Sequence, residues 1–228
     1  VERAGKAAHM DTTIQYSVKN VADQDWVRNT QSQFPPISIS KRLWVVPSWH
    51  TPPQADAINL LLDPGQAFGT GSHPTTKLCL QWLDENLQSG ASVLDYGCGS
   101  GILAIAAAKL GAGRVVGVDI DTRAVATAND NAQRNGVSVE FFAADTPLDE
   151  ARSGRFDVCV ANILANPLKV LAPLLARATR PGGVLVLSGI LHAQADEVAQ
   201  AYVPWAQLSV FRREQEWVCL AGRRSERT

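Results

Sequence analysis

Apolar and polar positions alternate in blocks along most of the chain. Short apolar runs, typical of buried strands, alternate with longer amphipathic stretches that are typical of helices. The runs predict strands near 92–95, 114–118, 138–142, 156–161, 184–188, 207–212 and 216–221. The amphipathic stretches predict helices near 74–88, 101–110, 122–135, 165–179 and 192–202.

This alternation predicts an α/β fold. Strands that alternate with helices form a parallel sheet covered by helices on both faces. The last two strands are joined too closely for a crossover, so we expect them to form an antiparallel hairpin. The predicted architecture is therefore a doubly wound, mostly parallel sheet of seven strands, Rossmann-like, with a C-terminal antiparallel hairpin.

The start of the chain follows a different pattern. Residues 1–10 contain Ala7-Ala8-His9-Met10, which is typical of a cloning junction, and we expect them to lie outside the fold. Residues 11–54 are interpreted as a linker that packs on one main domain, residues 55–228. Within this linker we expect a short helix over 21–31 and one or two short strands that end at Pro47.

Composition and charge exclude several classes of protein. The 228 residues are 46% hydrophobic and carry a formal net charge of −1, with no basic block, so strong nucleic-acid binding is not expected. No apolar stretch reaches membrane-spanning length, and a cytoplasmic location follows. The four cysteines are widely spaced in apolar surroundings, which predicts buried thiols, and no metal site is indicated.

The phrase V-L-D-Y-G-C-G-S-G, residues 93–101, predicts a nucleoside site. Gly97, Gly99 and Gly101 remove side chains where the backbone turns sharply and meets a ligand. Asp119 ends the next strand, where a carboxylate can bind both ribose hydroxyls. The alternative is an ordinary strand-to-helix turn, which explains neither Asp95 nor Asp119.

The spacing of the glycines distinguishes between two candidate classes of ligand. Dinucleotide sites use G-x-G-x-x-G, which places the helix start against a pyrophosphate. Here the third glycine comes one residue earlier, and Asp95 precedes the first. A carboxylate at this position suits a ligand with a positive end, which favours S-adenosylmethionine over a nicotinamide dinucleotide.

A second glycine-rich stretch, residues 65–76, leads into the first predicted helix. It has the composition of a lid over a ligand, in which Phe68 would contact the adenosine or the sulfonium and Thr70 would help to close the site. The alternative is a surface turn followed by a helix that Ser72 caps, with Pro74 in its first turn. His73 is expected to cap or pack rather than act as a base.

Three polar residues follow later strands. Asp121 is expected to cap the next helix. Asp145 follows the third strand, where it would either reach the adenine amino group or remain exposed. Asn162 ends the fourth strand at the cleft where the strand order reverses. Its carbonyl oxygen would accept a hydrogen bond from an attacking amine; the alternative is a buried amide that binds loop backbone.

Four phrases together resemble one known family. They are L-D-P-G-x-A-F-G-T-G-x-H-P-T-T, D-x-G-C-G-S-G-I-L-A-I-A, A-N-I-L and L-S-G-I-L. They resemble the ribosomal protein L11 methyltransferase (PrmA) family of class I methyltransferases, over about residues 21–222.

The resemblance implies a cofactor, a substrate and site residues. The cofactor contacts of the family fall on Thr76, Gly97, Asp119 and Asn162. The family methylates lysine side chains and the N-terminal amine of one large-subunit ribosomal protein. Its small N-terminal substrate-recognition domain is expected to be missing here, so the chain would bind the methyl donor and methylate poorly. Alternatives are a methyltransferase of a small molecule or RNA, an NAD-dependent oxidoreductase, and a cofactor-binding module without activity.

Overall fold

The computed structural model describes residues 34–63, 71–144 and 155–226. They belong, except for Phe34, to a compact unit that begins at Pro35. The helix predicted over 21–31 lies outside the described residues.

The unit is built on a sheet of seven strands. They are β4 Ser92–Tyr96, β5 Arg114–Asp119, β6 Glu140–Ala143, β7 Phe156–Asn162, β8 Thr179–Leu191, β9 Ser209–Glu214 and β10 Trp217–Arg223. The order across the sheet is β6-β5-β4-β7-β8-β10-β9. Neighbours from β6 to β8 run parallel, and β10 runs antiparallel to both β8 and β9. The predicted fold class and the C-terminal hairpin are confirmed.

A smaller sheet precedes the main one. Its strands are β1 Ile37–Ser38, β2 Leu43–Val46 and β3 Ile58–Leu61, with β1 antiparallel and β3 parallel to β2. The two strands expected before Pro47 are therefore present. The third strand, β3, was not predicted.

Six α-helices and one short 3₁₀ turn, His192–Gln194, connect the strands in the described ranges. The helices are α1 Pro74–Asn86, α2 Ile102–Lys109, α3 Thr122–Arg134, α4 Ala165–Val170, α5 Ala172–Ala178 and α6 Ala195–Tyr202. The single helix predicted over 165–179 is thus two helices that meet at Leu171. Pro173 in the first turn of α5 explains the break, because proline has no N–H to bond to the preceding turn.

Helices cover both faces of the main sheet. Buried side chains of α1, α2 and α3 form one cluster together with β2 and β3, and those of α4, α5 and α6 form the other. Val93 and Leu94 on β4 are both fully buried, one in each cluster. This burial explains why the central strands read as continuous apolar runs.

The remaining sequence expectations concern thiols and membranes. All four cysteines are buried and free, as predicted. Within the described ranges, no helix combines the length and the apolar character that a bilayer crossing requires.

The Asp157 side chain links the N-terminal ends of three neighbouring strands, β4, β7 and β8. Its carboxylate accepts hydrogen bonds from the Ser92 backbone N–H at 2.8 Å and hydroxyl at 2.7 Å, and it pairs with Arg180. Burial raises the pKa of this carboxyl, but the Ser92 hydrogen bonds and the Arg180 charge outweigh burial and lower the pKa to about 2. The carboxylate therefore stabilises the fold at neutral pH.

We predict that Asp157→Ala lowers the free energy of unfolding by about 1–3 kcal/mol at pH 7, the cost of leaving buried polar groups unsatisfied. The folded pKa lies below the unfolded value of about 3.9, so this stabilisation is complete above that pH and lost as the pH falls through 2. Urea unfolding between pH 2.5 and 7 should show the difference from wild type shrinking. Asp130→Ala, on the exposed face of α3, should stay within about 0.5 kcal/mol of wild type. A difference for Asp157→Ala that does not change with pH would contradict the assignment.

Candidate functional site

A cavity of about 720 Å³ opens at the carboxyl edge of the main sheet. It lies beside β4 and β7, where the strand order reverses, the position at which open α/β sheets bind ligands. Its wall combines the ends of β4, β5 and β7 with the start of α1 and with β10. Residues in this wall include Thr76, Tyr96, Gly97, Gly99, Asp119, Ile120, Asn162, Ile163, Leu164 and Trp217.

The glycine turn between β4 and α2 brings bare backbone to this wall. Gly97 has φ +78°, a left-handed conformation that favours glycine. A Cβ atom at Gly97 would lie 2.4 Å from Cγ2 of Ile163, its neighbour in the cavity wall. Gly101 has φ +79°, and a Cβ atom there would lie 2.9 Å from the Phe141 ring. Gly97 thus lets Ile163 pack against the turn in the cavity wall, whereas Gly101 permits packing of Phe141 against the turn.

Asp119 presents a carboxylate at the end of β5. One oxygen accepts the Gly99 N–H at 2.8 Å, and the other accepts the Asp121 N–H at 2.9 Å. The side chain is partly exposed in the cavity wall. Each oxygen retains a lone pair, so the carboxylate can accept two further hydrogen bonds from a diol.

Asp95 lies behind the turn rather than in the cavity wall. It is fully buried, and its Oδ2 accepts the Ala104 N–H in the first turn of α2 at 3.1 Å. Gly101, the N-cap residue of α2, has no side chain to do this. Desolvation, together with the charge of Asp119, raises the pKa of Asp95 to about 7 despite the Ala104 hydrogen bond. Oδ1 of Asp95 has no hydrogen-bond partner among the described residues.

Asn162 and Thr76 form a hydrogen bond in the cavity wall. Nδ2 of Asn162 donates to the Thr76 hydroxyl at 3.2 Å, which joins the end of β7 to the first turn of α1. Oδ1 of Asn162 is buried without a hydrogen-bond partner in the described part of the chain. An unsatisfied buried acceptor costs about 1–3 kcal/mol, so a ligand that offers an N–H here gains that amount.

The structure divides the predicted cofactor residues into three groups. Those in the cavity wall are Thr76, Gly97, Gly99, Asp119 and Asn162. Asp95 and Gly101 support the turn from behind. Phe68, Thr70 and Asp145 lie outside the described residues. Contact of any of these residues with a ligand stays a prediction.

The N-cap residue of α1 differs from the one named in the surface-turn alternative for residues 65–76. His73, not Ser72, is its N-cap residue, and its Nδ1 accepts the Thr75 N–H at 3.4 Å. The reason is that the extended residue directly before Pro74 occupies the cap position. The capping role expected for His73 is therefore confirmed, as is that of Asp121 on α3.

Trp217 is a cavity residue that sequence reasoning missed. Its ring meets the His73 ring edge to face, with centroids 4.9 Å apart. Trp217 reaches the cavity because β10 pairs with β8 and places it opposite Leu191. The one signal in the sequence is an aromatic residue that opens a strand after a tight turn.

Comparisons with known proteins agree with one another. Residues 1–225 match the model of the family described as Ribosomal protein L11 methyltransferase (PrmA). A ribosomal protein L11 methyltransferase of Dechloromonas aromatica is 58% identical over 96% of this chain and 73% of its own length. One from Cupriavidus pinatubonensis is 57% identical over 98% of this chain and 74% of its own.

Solved structures give the same result. A ribosomal protein L11 methylase from Lactobacillus delbrueckii subsp. bulgaricus superposes with a TM-score of 0.75 at 36% identity, covering 84% of this chain and all of that one. A tRNA (m1A58) methyltransferase from Aquifex aeolicus has a TM-score of 0.53 at 17% identity, covering 64% of this chain and 67% of that one. The second likeness concerns the fold alone.

Two glycines with the same backbone conformation provide a test of the cavity. Gly97 and Gly90 have φ +78° and +81°, but only at Gly97 would a Cβ atom meet another atom within 4 Å. Gly90→Ala should cost about 1–2 kcal/mol for the left-handed conformation. Gly97→Ala should cost a further 1–3 kcal/mol or so, because the new methyl group displaces Ile163.

The same two variants distinguish an effect on stability from an effect on ligand binding. We expect Gly97→Ala to weaken S-adenosylmethionine binding by about tenfold or more, or about 1.4 kcal/mol. Gly90→Ala should leave this affinity unchanged. Urea unfolding and calorimetric titration measure the two effects, and equal affinities in both variants would show that this wall does not contact the ligand.

Proposed function

The chain belongs to the ribosomal protein L11 methyltransferase (PrmA) family, and from this premise we propose that it transfers methyl groups from S-adenosylmethionine to lysine side chains and the N-terminal amine of ribosomal protein L11. Membership of this family supports methylation of ribosomal protein L11. The choice of donor and of amines is our proposal. The observation that carries it is the buried, unpartnered Oδ1 of Asn162 in the same cavity wall as the Asp119 carboxylate.

The donor site suits a nucleoside without phosphates. Asp119 offers a carboxylate to a ribose diol, and the glycine spacing G-x-G-x-G differs from the G-x-G-x-x-G of pyrophosphate sites. The Gly97 and Gly99 backbone lets a ligand approach closely, and the Asp119 carboxylate in the cavity wall favours a ligand with a positive charge. When bound, S-adenosylmethionine supplies a methyl group made electrophilic by its sulfonium.

The cavity wall suits an uncharged amine. A free lysine has a pKa near 10.4, so deprotonation at pH 7 costs about 4–5 kcal/mol. The wall includes the apolar side chains of Ile163, Leu164 and Trp217, which desolvate a group that enters. Desolvation and a neighbouring positive charge both lower the pKa of an ammonium. An N-terminal amine, with a pKa near 7.7–8.0, needs less help.

Asn162 would aim the amine. Its Oδ1, which is buried without a hydrogen-bond partner among the described residues, would accept one amine N–H, while the Thr76 hydroxyl accepts a hydrogen bond from Nδ2 and fixes the amide. The nitrogen lone pair would then form the new N–C bond as the bond between the methyl group and the sulfur breaks. The sulfur would leave as a neutral thioether, and the positive charge would pass to the nitrogen, whose proton is released to solvent. Positioning and desolvation supply most of the acceleration in this proposal, and we assign no general base.

Mass mapping tests the proposed reaction directly. The chain is incubated with methyl-labelled S-adenosylmethionine and whole large-subunit protein, with a matched ribosomal RNA fraction in a second reaction. We expect label on lysine and N-terminal amines of L11. Label on RNA, or on another protein with L11 unmodified, would overturn the proposal.

Asn162→Ala tests the aiming role. We expect turnover to fall by about a hundredfold, the scale of a misplaced reactant. Donor affinity should stay within about tenfold, since one neutral hydrogen bond is worth about 1 kcal/mol. Initial rates and calorimetry measure the two quantities.

Asn166→Ala is the matched control, because Asn166 is an exposed asparagine on α4 outside the cavity wall. It should retain wild-type turnover. If Asn162→Ala also keeps wild-type turnover, Asn162 has no part in the reaction.

A further inference from the structure

Helices α4 and α5 are apolar on two sides. Leu168 and Leu175 are fully buried against the sheet, which satisfies the need of these helices for a core face. Yet Leu164, Val170 and Leu174 are 69%, 79% and 39% exposed. Most of the large exposed apolar side chains in the described residues lie here or at Ile120, which is 89% exposed.

These exposed residues continue the cavity wall onto the surface. Leu164, Pro167 and Leu171 line the cavity, and Leu174 follows at helical spacing on the same side of α4 and α5. Ile120 lines the same cavity from the end of β5. We call this surface the apolar lip: Ile120, Leu164, Pro167, Val170, Leu171 and Leu174.

We propose that the apolar lip docks the part of ribosomal protein L11 that surrounds the methylated amine, through apolar side chains of that protein. This inference rests on the proposed function. An amine that reaches Oδ1 of Asn162 belongs to a chain that must cross the rim of the cavity. The lip is a stretch of that rim, and contiguous exposed apolar surface typically marks a protein-binding site.

The charges beside the lip favour a protein over a nucleic acid. Nucleic-acid binding depends on lysine and arginine side chains that neutralise phosphates. Of the cations near the lip in the sequence, Lys169 is paired with Glu197 and Arg123 with Asp121, and Arg177 follows Leu174 on α5. Three cations, two of them paired with acids, are few for a surface that binds phosphates. A polar rim around an apolar centre is instead typical of protein interfaces.

The lip also explains how substrates would be distinguished. An unprotonated amine is the same group in every lysine, so the Asn162 site alone cannot separate L11 from other proteins. Contacts outside the cavity add affinity for one protein without changing the reacting atoms. Loss of these contacts should therefore raise the KM for the protein and leave the kcat nearly unchanged.

Two paired variants test this role. Val170→Ser with Leu174→Ser changes the lip outside the cavity wall. Val203→Ser with Val210→Ser makes an equivalent change at side chains that are 57% and 48% exposed and lie outside the lip. We expect kcat/KM for L11 to fall about tenfold in the lip variant only, the scale of an interface hot spot.

A short lysine peptide is the second substrate. It enters the cavity without reaching Val170 or Leu174, the lip residues outside the cavity wall, so its kcat/KM and the S-adenosylmethionine affinity should match wild type in both variants. An equal loss with the peptide, an equal loss in the control variant, or unchanged kinetics with L11 would overturn the proposal.

Crosslinking separates this proposal from the proposed function. All four native cysteines are buried, so Val170→Cys provides one exposed thiol for a photo-crosslinker. Val203→Cys is the control. A crosslink from Val170→Cys to L11 supports the lip even if no amine is methylated. Methylation of L11 without that crosslink, or a crosslink to RNA or to a second copy of this chain, overturns the lip and leaves the methyl transfer standing.

Discussion

The first turn of α2 begins at a glycine, so its backbone depends on carboxylates supplied by two neighbouring strands. Asp95 on β4 accepts the Ala104 N–H, and Asp119 on β5 accepts the Gly99 N–H. Burial of Asp95 is costly, as its pKa of about 7 indicates, and the positive end of α2 compensates part of that cost. Together the two acids fix a turn that leaves its backbone free to face a ligand.

The reversal of strand order places this turn beside the end of β7. Strands β4 and β5 carry the acids and glycines, whereas β7, on the other side of the reversal, ends in Asn162. The Thr76 hydroxyl links that amide to α1. The glycine turn, Asp119 and the Asn162 amide thereby line one cavity, although no short stretch of sequence contains all of them.

The residues at strand ends were predictable from the sequence. Local periodicity indicates where each strand ends, and parallel strands end at the same edge of the sheet. Asp119 and Asn162 were found in this way. Trp217 and the third strand of the small sheet were not, since they depend on pairing between segments distant in the chain. The break at Leu171 follows from Pro173, but the apolar residues on both sides concealed it. For the same reason the periodicity of 165–179 did not separate core-facing from exposed leucines.

Burial of Asp95 makes the stability of the fold depend on pH. Its folded pKa lies near 7, above the unfolded value of about 3.9, so its carboxylate destabilises the fold progressively as the pH rises from 4 through 7. A cation bound at the glycine turn favours the charged form and offsets this loss. The same positive charge disfavours an ammonium near Asn162. In the proposed reaction the acids would hold the cationic donor, and the charge of the donor rather than that of the acids would favour the neutral form of the amine.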